Sequence, residues 1–335
     1  MTKKIITGIS ALILLFIISF FFWASAPVKD ISAYNKINVS ESTPTIQPKD
    51  TLSIITFNLG YLSGMTNNIA VDRSKDLFTG NLEKTLQLFK NIQPDFVAYQ
   101  EIDIDADRSF NVNQVTELQN QHPFPYAATA VNWNKTYVPF PYLPISQQFG
   151  KIISGQALHS NYPITENNIV TLVKPENNPF YYNAFYLDRL AQVNHVKIGS
   201  KEIVIINVHL EAFKPETRDI QINTVLKEFH KYSDKYPVIL CGDFNSTPPN
   251  ATTPYQNDHV IQTILADYDI EMAINLDENK RDEASYFTFN SEKPHNRIDY
   301  FFYNPKFIQI LDARVLHESE QISDHLPVWM KFVLR

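Results

Sequence analysis

The sequence predicts an α+β domain in which sheets pack on one another and helices lie outside them. Three features predict it. Apolar runs of strand length recur along the chain, broken by Gly, Pro and Asn. Few segments carry the apolar spacing of a helix, and those fall between strands. Several of the apolar runs also end in an acid, an amide or a histidine, which a strand that only has to be packed does not require.

Residues 1–26 stand apart. Lys3 and Lys4 precede an uncharged run from Ile5 to Ala26, rich in Ile, Leu and Phe and long enough to cross the hydrocarbon core of a bilayer. The lysines keep the N-terminal flank cytoplasmic and place the rest of the chain outside. Ala24-Ser25-Ala26 is a small-x-small pattern of the kind a signal peptidase cuts, whereas Pro27 and the length of the run favour a retained anchor. Both readings export the protein, either to the cell membrane on a single span or as a secreted chain. Without Lys3 and Lys4, the remaining 309 residues hold 27 basic and 36 acidic groups, a formal charge of −9. Such a surface does not attract a nucleic-acid backbone over distance, although it allows a locally basic groove. Cys241 is the only cysteine, so no internal disulfide or cysteine-rich zinc site forms.

Residues 27–50 are polar and read as a tether to a domain at 51–335. Residues 52–57 make a strand that ends at Asn58. Asn81 is expected to cap a helix through Leu82, Leu86, Leu88 and Phe89, which Pro94 stops. Residues 95–100 form a short buried strand that delivers Glu101. Beyond it, Asp103, Asp105 and Asp107 read as a solvated acidic loop, since the glycine and terminal glutamate of a calcium loop are missing. Residues 114–121 form a helix. The stretch 123–149 is dense in aromatics and prolines and is expected to be a long irregular loop, folded onto the domain or touching substrate or a bilayer.

Residues 155–160 make a strand with His159 as a structural residue. Residues 187–196 and 203–210 make two more, the second carrying Asn207 and His209 on one side. A covering helix at 217–232 leads into Pro237-Val238-Ile239-Leu240-Cys241, which ends at Gly242-Asp243-Phe244-Asn245. In extended backbone Asp243 and Asn245 point one way and Phe244 faces the core. A helix at 261–265 and a strand at 285–289 follow. Arg297 and Asp299 then alternate at the start of an apolar run, and Ser323-Asp324-His325 precedes the last strand at 328–334.

The polar strand-end set is therefore Asn58, Glu101, Asn207, His209, Asp243, Asn245, Asp299, Asp324 and His325. Each alone has a structural explanation; nine at the edges of apolar runs are harder to dismiss. Carboxylates, amides and water suit Mg2+, with Mn2+ as the substitute, better than they suit zinc. Two histidines supply proton transfer near neutral pH. No Gly-x-Ser-x-Gly elbow or Lys-bearing phosphate loop occurs, so water is the expected nucleophile. These ingredients fit hydrolysis of a phosphoester.

Thr56-Phe57-Asn58, Gln100-Glu101, Asn207-Val208-His209-Leu210, Gly242-Asp243-Phe244-Asn245, Arg297-Ile298-Asp299-Tyr300 and Ser323-Asp324-His325 occur in that order. On these motifs, residues 50–335 resemble the endonuclease/exonuclease/phosphatase superfamily. The resemblance implies a four-layer α/β/β/α sandwich of two packed sheets. It implies Glu101 as the main metal ligand, with Asn58 close to the ion and Asp324 joining it or fixing its surroundings. His325 would be the base or would grip the scissile phosphate, oriented by Asp299. Asp243 and Asn245 would position water and phosphate oxygens, and either Asp243 or His325 acts as base. His209 would stabilise phosphoryl charge or protonate the leaving oxygen. Asn207 is placed on the substrate side, and Arg189 either touches a substrate phosphate or sits in a core-edge ion pair. The first expected substrate is a lipid head group or other small phosphoester, with membrane contact through the N-terminal segment and residues 123–149. An exported nuclease is the alternative and a silent phosphoester-binding protein the third reading; a monomer is expected.

Overall fold

The computed structural model describes residues 2–40, 46–122, 124–252 and 258–335; residues 41–45 of the expected tether and Pro123 lie outside the described residues. The chain opens with α1 (Thr2–Ser25) and a short strand, β1 (Ile37–Val39). A strand–helix–strand unit follows: β2 (Thr51–Asn58), α2 (Lys75–Ile92) and β3 (Phe96–Ala106). Next come α3 (Gln114–Gln121), β4 (Tyr126–Val138), β5 (Gly150–Ser160), β6 (Ile164–Leu172), α4 (Phe180–Asn183) and β7 (Arg189–Ile198). A second such unit is built from β8 (Lys201–His209), α5 (Pro215–Ser233) and β9 (Val238–Asp243). The chain then runs through α6 (Val260–Leu265), β10 (Glu271–Met272), α7 (Leu276–Arg281), β11 (Asp299–Tyr303), β12 (Ile308–Val315) and β13 (Val328–Leu334).

Seven strands form one sheet in the order β1-β4-β5-β3-β2-β13-β12, and six form the other as β10-β11-β9-β8-β7-β6. The pairs β2–β3 and β8–β9 are parallel, because each is joined through a helix, and both lie inside otherwise antiparallel sheets. Strand alternation then divides the apolar residues. Leu52, Ile54 and Phe96 of the first sheet meet Ile203, Ile205 and Ile239 of the second in one core between the sheets. The alternate set, Ile55, Phe57, Val97 and Tyr99, packs under Phe78, Leu88 and Phe89 of α2 and Leu118 of α3. Val204, Ile206, Val208 and Leu240 pack under Ile222, Val225 and Phe229 of α5 and Ile264 of α6. Both faces of the central strands are covered, so they read as continuous apolar runs. The result is the expected sandwich: helices, sheet, sheet, helices.

Several local expectations change. The stretch 123–149 is not one irregular loop: β4 takes up half of it and lies inside the sheet between β1 and β5. Pro125, Pro139, Pro141 and Pro144 flank this strand and none interrupts it, so they remove no donor from the ladder. Asn81 does not cap α2. Ser74 does, accepting from the Leu77 N–H at 3.3 Å, while Asn81 is buried mid-helix and donates to the Leu62 carbonyl at 2.9 Å. Asp103, Asp105 and Asp107 are no solvated loop. β3 runs on to Ala106, and Asp103 is buried against the Arg108 fork at 2.9 and 3.0 Å, whereas Asp105 meets Lys151 Nζ at 2.6 Å. The expected strand at 285–289 is a 3-10 turn followed by a single bridge residue, Phe289. Part of the polar tether is also structured, since Ile37–Val39 pairs with β4.

The two roles of Ser74 and Asn81 separate by mutation. Ser74→Ala is expected to cost about 1 kcal/mol, the loss of one cap. Asn81→Ala is expected to cost about 1–3 kcal/mol, because the buried Leu62 carbonyl loses its donor. Urea unfolding midpoints of the two variants check this order.

Candidate active site

The two parallel strand pairs bring four polar side chains to one place. Asn58 ends β2 and Glu101 lies in β3 beside it; His209 ends β8 and faces Asp243, the end of β9. Asp299 opens β11 directly across from Asp243. The turn before β13 adds Asp324 and His325, and is pinned there because Ser323 Oγ donates to the Asn58 carbonyl at 2.8 Å. Glu101 reaches the rim by a break in register between Tyr99 and Ile102, with its own φ at +49°. A bulge of this kind re-aims one side chain without ending the strand. Two glycines make room. A Cβ at Gly242 would lie 1.9 Å from the Val208 carbonyl oxygen, and one at Gly60 would lie 2.9 Å from Ser323 Oγ and 3.0 Å from Asp324 Oδ1.

The side chains form one connected cluster. Asn58 Nδ2 donates to Asp243 Oδ2 at 2.9 Å and to Glu101 Oε1 at 3.3 Å. Asn67 Nδ2 lies 3.1 Å from Glu101 Oε2 and 3.2 Å from both oxygens of Asp324. His325 Nδ1 is 3.0 Å from Asp299 Oδ2, and its Nε2 is 3.8 Å from Asp243 Oδ2. His209 Nε2 sits 3.4 Å from that same Asp243 oxygen and 3.9 Å from Glu101 Oε1.

Electrostatics follow from burial and crowding. Burial, helped by Asp299, pushes the Asp243 carboxyl up to about 7 against the pull of His325. Burial, helped by Glu101, also raises Asp324. Burial opposes charge on His325, but Asp299, Asp243 and Asp324 outweigh it and lift the imidazole to about 10. His209 falls well below the usual histidine range through burial, Arg189 and His325, so it is neutral. Four carboxylates thus share a small volume; protonated His325 reaches Asp243, whereas Glu101 meets neutral His209 and the amides of Asn58 and Asn67. The residues present fit a divalent cation: the possible ligand atoms of Asp243, Asp299 and His325 lie within 4.8 Å of one another, His325 once it has given up a proton, and one oxygen of Asp299 makes no hydrogen bond.

A model of the Endonuclease/Exonuclease/phosphatase family matches residues 55–325, from β2 to His325. The chain belongs to this family. Solved structures share the fold at low identity. An endonuclease/exonuclease/phosphatase from Beutenbergia cavernae has a TM-score of 0.64 at 20% identity, covering 85% of this chain and 72% of that one. The human Nocturnin catalytic domain has a TM-score of 0.59 at 15% identity, covering 88% and 100%. A mannosyl-6-phosphatase from Bacteroides thetaiotaomicron has a TM-score of 0.57 at 16% identity, covering 84% and 99%. Carbon catabolite repressor protein 4 homolog 6 of Arabidopsis thaliana is 43% identical over 56 residues, only 15% of this chain and 7% of that protein. With its clustered acids and imidazoles, this family member is a metal-dependent phosphoester hydrolase.

Not every residue expected at the family site reaches the rim. Asn207 is fully buried between the sheets. Its carboxamide accepts from Gln100 Nε2 at 2.6 Å and donates to the Tyr99 carbonyl at 2.9 Å, so it holds the sheets and has nothing left for substrate. Asn245 leaves the strand at φ +50°, so it does not share a face with Asp243. Its Nδ2 donates back to the Leu210 carbonyl at 3.0 Å, while its N–H donates to Asp243 Oδ1 at 2.9 Å. Asn58 meets the acids as a donor, since its oxygen turns away to accept from the Gly60 N–H at 3.1 Å. Arg189 is buried, 3.8 Å from Glu211, and its Nε and Nη1 make no hydrogen bond. His159 is buried against Tyr99. Asn67 and Glu211 carry little signal in the sequence. Asn67 follows no apolar run, and the signal for Glu211 was an acid two residues beyond His209.

A divalent cation held among these acids favours the ionised form of Asp243, so cation and proton oppose one another. Asp243 is raised in the folded state, so the stability due to its proton is full below about pH 4 and is lost as pH rises through about 7. The gain in Tm on adding magnesium is therefore expected to be small near about pH 5.5 and to grow toward about pH 8; calorimetry at the two pH values checks it. Asn207→Ala is expected to lower unfolding stability by on the order of 3 kcal/mol, since it strands several buried polar groups. Urea melts of metal-free protein measure that loss.

Proposed function

We propose that this chain cleaves a phosphodiester by in-line attack of water, using Mg2+ or, in its place, Mn2+. The observation that carries the reading is the crowding of Glu101, Asp243, Asp299 and Asp324 at the shared end of both sheets, with Asp243 and Asp324 both raised. Glu101 and Asp324 would hold the cation, and Asn58 and Asn67 would hold those carboxylates. A bound divalent ion supplies charge for the phosphoryl oxygens. Asp243, near 7, is matched to take a proton from water at neutral pH. Its Oδ1 is fixed by the Asn245 N–H, so Oδ2 faces the reaction. His325 carries a proton and grips a phosphate oxygen, while Asp299 fixes its Nδ1 side. Neutral His209 donates one hydrogen bond to phosphoryl charge. Arg189, buried beside it and ion-paired through Nε with Glu211, keeps Nη1 without a hydrogen bond and offers positive charge to the substrate phosphate.

Nucleic acid is the substrate class favoured by the comparisons, because two of the three activities in the family's description cut it. This reverses the order expected from composition. A lipid head group remains the second reading, supported by the exposed apolar helix α1 at one edge of the domain. In both, α1 either anchors the chain in the cell membrane with the domain outside or is removed as a signal.

Duplex DNA, single-stranded RNA, sphingomyelin and a phosphoinositide, assayed side by side with magnesium, separate the two classes. Nucleic acid is expected to turn over fastest, and faster cleavage of the lipids would promote the second reading. His325→Ala and Asp243→Asn are expected to lower kcat by about 10²–10⁴-fold with the fold intact by circular dichroism. Glu101→Gln is expected to abolish the magnesium-dependent rise in Tm, and Asp299→Asn to keep it while losing rate. The opposite pattern in that pair would move the cation to the Asp243–Asp299–His325 side.

A further inference from the structure

α1 joins the domain through aromatic rings. Phe20 and Trp23 lie against Tyr137, with ring centroids 5.9 and 6.0 Å apart, and Phe21 lies 6.0 Å from Phe180 and 5.6 Å from Phe185. The joint is braced by the Thr136 N–H, which donates to the Ala26 carbonyl at 2.8 Å, and by Lys135 Nζ on the Ser25 carbonyl at 3.2 Å. From this joint α1 projects with its apolar side chains exposed from Ile5 to Ile18. Two further segments raise apolar side chains to solvent. Tyr142, Leu143 and Ile145, in the loop after β4, are 70%, 74% and 69% exposed; Phe180 of α4, which touches α1, is 77% exposed. The two segments adjoin, since Tyr142 contributes to the electrostatic surroundings of Tyr182 in α4. Isolated exposed apolar residues are ordinary; a set continuous with a bare apolar helix is not.

We infer that this collar is a docking surface for the lipid bilayer that α1 crosses. α1 decides the occupant. A membrane traversed by α1 has its interface at the helix end that abuts the domain, where Trp23, Tyr137 and Tyr142 stand. Aromatic rings with one polar edge are the residues that settle at that depth. The collar is also coupled to the candidate active site. Tyr182 lies 5.2 Å from Tyr186, the Tyr186 hydroxyl donates to Glu211 at 2.9 Å, and Glu211 pairs with Arg189 beside His209. Seating the collar therefore fixes the height and tilt of the catalytic rim above the lipid surface. The inference rests on α1 being a span.

The full chain in phosphatidylcholine vesicles tests both parts separately. A single new cysteine carrying an environment-sensitive fluorophore is placed by Leu143→Cys, Phe180→Cys, Leu14→Cys within α1, or Leu311→Cys. Leu311 is exposed on β12, at the sheet edge opposite β4, and Cys241 is buried and unreactive. Lipids bearing a quencher near the head group are expected to quench the probes at 143 and 180 at least about three-fold more than the probe at 311. A probe at 14 in lipid with 143 and 180 as wet as 311 would leave the span standing and sink the collar. A probe at 14 outside the lipid would overturn both. Shielding of 143 and 180 from a water-soluble quencher without lipid quenching would assign the collar to a second copy of the chain, which also overturns the inference.

Discussion

The rim depends on two sheets being held face to face at one fixed offset, and a buried carboxamide sets that offset. Hydrocarbon packing between the sheets is strong but tolerant of sliding. Asn207, at the centre of the six-stranded sheet, reaches the seven-stranded sheet through Gln100 and the Tyr99 carbonyl, and Gln156 reaches back to the Asn207 carbonyl at 2.8 Å. Gln100 is held in turn by Thr56 Oγ1 at 3.1 Å. A layer of amides in an apolar core is costly unless its bonds form, and they form at one register. Glu101 follows Gln100 and His209 follows two residues after Asn207, so the layer fixes the two strands that carry them.

Above that layer the logic is opposite. Elsewhere in the domain a buried acid has a full cationic partner: Asp103 accepts both arms of Arg108, which also stacks 3.7 Å over the Tyr61 ring. At the rim, acids face acids, and the donors that steady them are amides and imidazoles. Asp243 near 7 and His325 near 10, in contact with one another, are groups whose surroundings push both toward the protonated form. Stability is sacrificed there and recovered from the three apolar cores beneath.

Much of this was legible in residue order. The apolar runs locate β2, β8, β9, β11 and β13, because central strands covered on both faces are written as unbroken hydrocarbon. Glu101, Asp243, Asp299 and His325 were recognisable as a set, because ionisable groups recur at the edges of such runs where packing alone needs none. What was hidden depends on tertiary context. β4 is polar in its second half and framed by prolines, so local chemistry reads as a loop although the strand is held on both sides. Asn81 has the composition of a cap and the position of a core donor. Asn207 and Asn245 sit at the spacing of site residues, yet one faces the inter-sheet layer and the other turns at a left-handed backbone. Period-two reasoning fails at Glu101 and Asn245 for the same reason: each has a left-handed backbone that breaks the alternation.

The route of the chain has its own consequence. Residues 164–303 supply the whole six-stranded sheet, while the seven-stranded sheet takes its strands from both sides of that block. β13 pairs with β2, joining Val328 to Thr56 across almost the entire polymer. Closing so long a loop is slow, and Asp324 and His325 arrive only with it. A chain that lacks its last strand therefore loses the Ser323, Asp324 and His325 side of the rim, so the acid cluster exists only once two distant parts of the domain have met.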